Sequence, residues 1–516
     1  MSKTASLYNV PRGTAYLTAQ QVVTYLTYLV FYVALPRVLT DLVKVTQIIL
    51  LLAAQSAFVA LTQLGLPSSA TRFISRSIGV NDPQTAGAVA RGILRVSTVV
   101  GGAGLVIGII LSGFIGPSYV GSADGANLLI TTFTSGLLLD FVLLYSAYFI
   151  GVGAYARNLY QNALYAPLSR GLGLLLAVLG YGVQGIIFGW VIGGLATLAL
   201  SIYMWHGTLP AKKSHPIRPL LRFSLPVFGA ALIVFGQQYG DIEILTARLG
   251  VVPSIGIYST LVSSVGSLSV LWIPVTQALY PAISASHASG ETGTISDRLA
   301  VAFRLTNLAV LPLGASLAAI APTAIGLVYP APYVTQSLVF AVLSLGSILT
   351  AQAAILTISL QAIGRAGRAL AVTMSSTMAG LIVVAIGASF LGPLGGAIGR
   401  LVTGSGTVLL ARHSLESEAK THTGAALSKA LLLAAGTGVP LLIIDDLMIG
   451  HLGTTFRLPI LIVIFAMTFL AFSRRLHIFR AADFALLKDT LPHRFHPQLR
   501  AIEHLMIGQS RQKDQG

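Results

Sequence analysis

Apolar runs of about 20 residues follow one another almost without pause from Gly13 to Phe472. Wound as helix, such a run is about 30 Å long and spans the hydrocarbon core of a bilayer. The polar connections between runs are too short to hold a soluble domain. Charge is scarce to match: 9% of residues, where soluble chains carry about 25%. The expected fold class is an all-α polytopic membrane protein with about 14 transmembrane helices. They fall at approximately 13–34, 46–66, 92–115, 127–150, 161–180, 184–205, 224–247, 254–278, 304–327, 335–358, 369–390, 392–411, 428–446 and 452–472.

No small-residue cleavage site precedes the second run, so a secretory signal is not expected. The absence of cysteine excludes disulfides, thiolate metal sites and thiol catalysis. No Gly-rich loop ending in Lys-Ser/Thr is present, so ATP hydrolysis is not encoded. Nor is there the large extracytoplasmic loop that a membrane glycosyltransferase or polymerase would bring. The expectation is a non-enzyme without cofactor or metal.

The net charge of +16 does not mark a nucleic-acid binder, because no compact basic domain carries it. Lys and Arg gather at the N-terminus, in alternate connections and in the tail from Ser473. The opposite connections hold only Arg37, Lys44, Arg248 and Arg457. The positive-inside rule therefore places both termini in the cytoplasm and calls for an even number of spans.

The basic, Pro-containing connection HGTLPAKKSHPIRPLLR (His206–Arg222) divides the first twelve spans into six and six, and the halves read as related, the alternative being that Gly-rich membrane helices match by composition. YGVQGIIFGWVIGGLATLAL from Tyr181 and LGPLGGAIGRLVTGSGTVLL from Leu391, 210 residues apart, agree at six of twenty positions, four of them Gly. GVGAYAR, ending at Arg157, and AIGRAGR, ending at Arg368, each follow the fourth span of a half. Both halves start on one side, which makes this a parallel repeat, and two six-helix lobes around a shared site are a common transporter plan. The expected organisation is an N-terminal lobe at 1–208, a C-terminal lobe at 209–415, an extra transmembrane pair at 416–473 and a basic cytoplasmic tail at 474–516. In the tail, HIFRAADFALLKDTL either lies on the inner membrane surface or is solvated. Its scattered His477, His493, His496 and His504 argue for solvation over a metal site.

Three stretches sharpen the class. They are LLRFSLPVFGAALIVFGQQYGDIEILTARLGVVPSIGIYSTLVSSVG (Leu220–Gly266), ALYPAIS (Ala278–Ser284) and its first-half counterpart GLPSSATRFISR (Gly65–Arg76). With the plan of six plus six helices and a further pair, they resemble the polysaccharide, or lipid-linked oligosaccharide, flippases. Those belong to the multidrug/oligosaccharidyl-lipid/polysaccharide exporter superfamily. The resemblance is diffuse and covers about residues 10–415. It implies alternating access between two lobes of the cytoplasmic membrane, with a lipid-linked glycan as substrate and membrane lipids around it. Protons or sodium ions are the coupling species it implies, and glycan-assembly enzymes its neighbours. A cation-coupled multidrug exporter and a non-transporting scaffold of a glycan-assembly complex are the competing readings. The extra helix pair favours the flippase.

Ionisable groups inside the spans cost about 2.5–3.5 kcal/mol each at mid-bilayer and face protein or a water-filled cavity. Asp140 sits mid-span in the fourth helix and Arg170 about 14 Å into the fifth, so an ion pair between them is expected. The competing reading makes Asp140 a cation-responsive carboxylate. Arg400, mid-span in the twelfth helix and aligned with Trp190 in the repeat, either pairs within its lobe, meets Asp241 or faces an anionic substrate. In the seventh span Gln237, Gln238, Asp241 and Arg248 share one helix face, while Glu243 is about 200° round and lacks an assignable partner. The resemblance makes the Gln237–Gln238–Asp241 face a cavity wall, with Gln20, Gln21, Thr24 and Thr27 of the first span opposite. The alternative is a structural polar contact. Near the cytoplasmic surface, Arg72, Arg76, Arg91 and Arg95 either attract a pyrophosphate headgroup or serve as topology determinants touching lipid phosphates.

Overall fold

A computed structural model describes residues 10–210, 216–289, 292–416, 424–449, 451–476 and 497. The segment HIFRAADFALLKDTL and the four tail histidines lie outside them. The described residues are almost entirely helical: α1 (Val10–Val38), α2 (Leu42–Gln63), α3 (Leu66–Gly79), α4 (Pro83–Val120), α5 (Gly125–Gly151), α6 (Tyr155–Leu176), α7 (Gly182–Trp205), α8 (Arg218–Leu249) and α9 (Pro253–Gly266). There follow α10 (Ile273–Ala288), α11 (Thr292–Ala319), α12 (Ala321–Val328), α13 (Ser337–Ala362), α14 (Ala366–Leu391), α15 (Pro393–Leu415), α16 (Gly424–Met448) and α17 (Thr454–Arg475).

Among the described residues, thirteen stretches are long and apolar enough to cross a membrane, and one of them, Tyr155–Trp205, runs for 51 residues. As a straight helix it would reach about 76 Å, more than twice the hydrocarbon thickness. It folds back instead. A π-helical turn at Ala177–Tyr181 ends with Gly180 at φ +101° and Gly182 at φ +53°, conformations open to glycine. α6 and α7 then lie against each other along their length. Counted as a hairpin, this stretch gives the expected fourteen spans.

Two elements depart from the hydropathy reading. The eighth span breaks at a 3₁₀ turn, Ser267–Leu271, between α9 and α10. The connection after α2 is a separate amphipathic helix, α3. Leu64 (φ +47°) and Gly65 (φ +70°) turn the chain into it, and Pro67 sits in its first turn. Its buried Leu66, Ala70 and Ile74 join a core with Val89 and Ile93 of α4 and Tyr148 and Phe149 of α5, while Arg72 and Arg76 face outward.

Packing divides the chain into two units: Met1–Val270 with Thr373–Gly399, and Leu271–Val372 with Arg400–Gly516. In the first, α8 and α9 lie against α2, and α8 also against α3. Thr46 of α2 completes the first turn of α9. The Gly256 amide donates to the Thr46 hydroxyl at 3.0 Å, and that hydroxyl lies 2.9 Å from the Val252 carbonyl. Thr46 and Gly256 are 210 residues apart, the offset of the sequence repeat.

The repeat is also written in backbone geometry. Gly182 and Gly392 have φ of +53° and +54°, and Gly153 and Gly364 have φ of +75° and +82°. A Cβ on Gly189 would lie 2.8 Å from the Ser169 carbonyl oxygen, and one on Gly399 would lie 2.8 Å from that of Gly380. One close helix approach, permitted by glycine, thus recurs in α6–α7 and α14–α15.

In the second unit, α16 and α17 pack through Leu433 and Ala434 against Leu308 and Leu311 of α11, with Phe469 and Phe472 alongside. Asp445, in the last turn of α16, is buried. It accepts from Thr323 of α12 at 2.7 Å and from Arg457 of α17 at 3.3 Å. The acidic pair Asp445-Asp446 is therefore part of a helix, and only Asp446 is exposed. Breaking one side of a buried ion pair costs about 3–5 kcal/mol. Asp445→Ala is expected to lower the melting temperature in detergent by several degrees, with Asp445→Ala/Arg457→Met recovering part of the loss. Thermal unfolding of the single and double variants checks this.

Candidate functional site

Arg170 lies in the interior of the first unit at 4% exposure. Its guanidinium carbon is 5.2 Å from the ring centre of Tyr28, 5.3 Å from Phe31 and 4.8 Å from Trp190. The negative faces of aromatic rings stabilise a cation where water is excluded. Tyr28 hydrogen-bonds it, and Tyr32, Tyr165 and Tyr239 are close enough to act on its charge. Its Nε and Nη1 have no hydrogen-bond partner. The result is a packed cluster on α1, α6, α7 and α8, in which phenols and ring faces surround one cation with donors to spare. Such a site suits an anion or an oxygen-rich ligand, since guanidinium N–H groups match phosphate and carboxylate oxygens.

The expected Asp140–Arg170 ion pair does not form. Asp140, 2% exposed, turns to α2, where the Thr62 and Gln63 side chains hydrogen-bond it, and it lies near Gly101 of α4. Depth alone suggested the pairing; rotation about the helix axes decides against it. Asp140 is held by neutral donors, so its charge is not cancelled by the neighbouring arginine.

On α1, Gln20 accepts from Asn158 of α6 at 2.6 Å, and Asn158 in turn receives the Ser146 hydroxyl of α5 and the Asn162 amide. Gln20 is thus the end of a polar ladder through the first unit. Gln21 and Thr24 are half-buried beside it, Gln21 with a partner of its own. Thr27 returns its hydroxyl to the Val23 carbonyl.

The polar face of α8 divides. Gln238 is exposed and Gln237 half-buried. Asp241 is 3% exposed and receives the hydroxyl of Tyr258, a fully buried residue of α9, with Gly396 of α15 against that hydroxyl. In this conformation Asp241 makes the structural polar contact weighed above and is closed off from any cavity. Glu243 has the partner that sequence could not supply: the Tyr119 hydroxyl of α4 lies 2.6 Å from Glu243 Oε1, and 3.1 Å from the Leu50 carbonyl of α2. No sequence signal joins positions 124 residues apart.

Arg72 and Arg76 on α3, and Arg91 and Arg95 on α4, are all exposed, each pair one helical turn apart. Arg72 stacks over Phe223 at 4.3 Å. Arg400 is half-buried in the second unit and has its own interactions.

The fold and site are those of a polytopic helical membrane protein with a cation deep among its spans. A multidrug-resistance transporter of the MATE family and MOP superfamily superposes with a TM-score of 0.64 at 16% identity, covering 78% of this chain and 98% of its own. The lipid II flippase MurJ gives 0.69 at 14% identity, covering 88% and 97%. A MOP-superfamily transporter from Pyrococcus furiosus gives 0.54 at 16% identity, covering 82% and 100%. No curated protein matches the sequence. The family model described as polysaccharide biosynthesis protein matches residues 10–287, and the chain belongs to that family.

Removing the Tyr258 hydroxyl leaves a buried carboxylate short of a donor, which costs about 1–3 kcal/mol. Tyr258→Phe is expected to lower thermal stability more than Gln238→Ala. Melting curves in the same detergent test the ranking.

Proposed function

We propose that this member of the polysaccharide biosynthesis family is a flippase that carries a lipid-linked glycan precursor across the cytoplasmic membrane, from the inner to the outer leaflet. The observation that carries the reading is the buried Arg170 with its surrounding tyrosines. A guanidinium with two free N–H positions, buried without a carboxylate, is suited to an anionic headgroup. The ring of tyrosines around it offers faces and hydroxyls to sugar. Family membership and a fold shared with a flippase that flips lipid II support it. The flippase structure covers 88% of this chain and the MATE transporter 78%, which favours the lipid-linked substrate over small drugs.

In this reading the lobes at 1–208 and 209–415 alternate access, with both termini in the cytoplasm, and 416–473 forms an accessory pair. Arg170 receives the headgroup, and Gln20, Gln21, Thr24, Gln237 and Gln238 supply neutral polar contacts on the path. Asp140, held by Thr62 and Gln63, is the carboxylate that binds a coupling proton or sodium ion. Asp241 becomes available to the path only when its bond to Tyr258 opens, and Arg400 is the intramembrane cation of the other lobe. Enzymes of glycan assembly supply and consume the lipid-linked substrate.

Leaflet-resolved transport of a lipid-linked sugar in proteoliposomes tests this. Arg170→Met is expected to lower the initial rate at least tenfold while the protein stays monodisperse, and Arg170→Lys to keep an intermediate rate. A full rate in Arg170→Met would remove Arg170 from the substrate path, and absence of transport in the native protein would overturn the reading.

A further inference from the structure

At the end of the first unit where α2 and α5 begin and α6 turns into α7 lies a pocket of about 720 Å³. One wall is the π-helical turn, where Gly180 and Gly182 at positive φ flank an exposed Tyr181. The start of α2 brings Lys44 and Gln47, and the start of α5 brings Asn127, with Asp124 just ahead of it. Gln184 and Phe188 of α7 close the rim.

Lys44 and Asp124 are both exposed and line the same pocket, yet they do not pair. Among the described residues, the side chains of Lys44, Gln47, Asp124, Asn127 and Gln184 have no hydrogen-bond or ion-pair partner. Gln47 is only 8% exposed. A buried amide to which the protein gives no partner is paired by water or by a ligand.

The charge pattern selects the ligand. A simple anion would meet Asp124, a simple cation would meet Lys44, and a neutral sugar would leave both charges unanswered. A phosphate and an ammonium group in one small molecule answer both at once. The ammonium must carry N–H, because Asp124 and the Asn127 amide oxygen are acceptors and a trimethylated nitrogen has nothing to donate. The surface below the pocket selects the source. Phe188 heads an exposed stripe down α7 that continues through Ile192, Leu195 and Ala199. Its eleven helical rises cover about 16 Å, the depth of one leaflet.

We infer that the pocket seats the headgroup of a zwitterionic aminophospholipid. Lys44, Gln47 and Gln184 take the phosphate, Asp124 and Asn127 take the ammonium, and an acyl chain follows the α7 stripe. Such a lipid belongs to the surrounding bilayer, so the seat is independent of what the protein carries. Bound there, it ties the starts of α2 and α5 to the α6–α7 turn.

Native mass spectrometry of the full chain in detergent tests the seat by titration with chain-matched phosphatidylethanolamine, phosphatidylcholine and phosphatidylglycerol. The ethanolamine lipid is expected to bind at least fivefold more tightly than either of the others. Asp124→Asn is expected to abolish its advantage over phosphatidylglycerol, and Lys44→Gln to weaken its binding at least fivefold. Arg37→Gln, which removes an exposed cation outside the lining, is expected to change neither. Water-soluble glycerophosphoethanolamine is expected to compete only at far higher concentration. Equal competition by it would make this a site for a soluble zwitterion and overturn the lipid seat. Equal binding of the three lipids, or an undiminished ethanolamine preference in Asp124→Asn/Lys44→Gln, overturns the site altogether.

Discussion

Lipid offers no hydrogen-bond partner, and the described polar groups of the spans follow from that constraint. The carboxylates Asp140, Asp241, Glu243 and Asp445 each end on a hydroxyl or amide from another helix. Because each partner sits on a different helix, these bonds also fix helix rotation, which apolar packing alone specifies weakly. Arg170 is the counter-example. It meets ring faces and one phenol where a carboxylate would have neutralised it.

The helices are legible in the sequence because crossing a bilayer demands length and apolarity, both of which are local properties. The repeat is legible because Gly182 and Gly392, like Gly189 and Gly399, occupy positions where other residues would clash or strain. Amphipathic α3 escapes a hydropathy scan because half its surface is polar. The break between α9 and α10 escapes because Ser267–Leu271 reads as mildly apolar. At the site, residue types point to the right positions but not to partners. Asp140 and Arg170 lie at comparable depth on adjacent helices, yet face α2 and α1 respectively. Tyr119, the partner of Glu243, carries no mark in the sequence, since a tyrosine near a helix end is ordinary in a membrane protein.

The two halves of the repeat differ in charge at one depth. Trp190 packs on Arg170 in one half, and its repeat equivalent is Arg400. The backbone geometry common to the halves has been kept while the side chains at one depth have exchanged an aromatic face for a cation. The scaffold is therefore shared, and the chemistry of each half is its own.

The first turn of α9 is not wholly its own. A hydroxyl from α2 is spliced between the Gly256 amide and the Val252 carbonyl, where an uninterrupted helix would close the bond itself. If α2 withdraws, that turn must either admit water or tighten by the width of the lost oxygen, and tightening swings the start of α9. The Thr46 hydroxyl is thus one point, within a packed α2–α9 contact, where the two helices are joined by hydrogen bonds as well as by close approach. Parting these two equivalent helices strips the Gly256 amide of its acceptor, so the seam costs least to open where water takes the place of the hydroxyl.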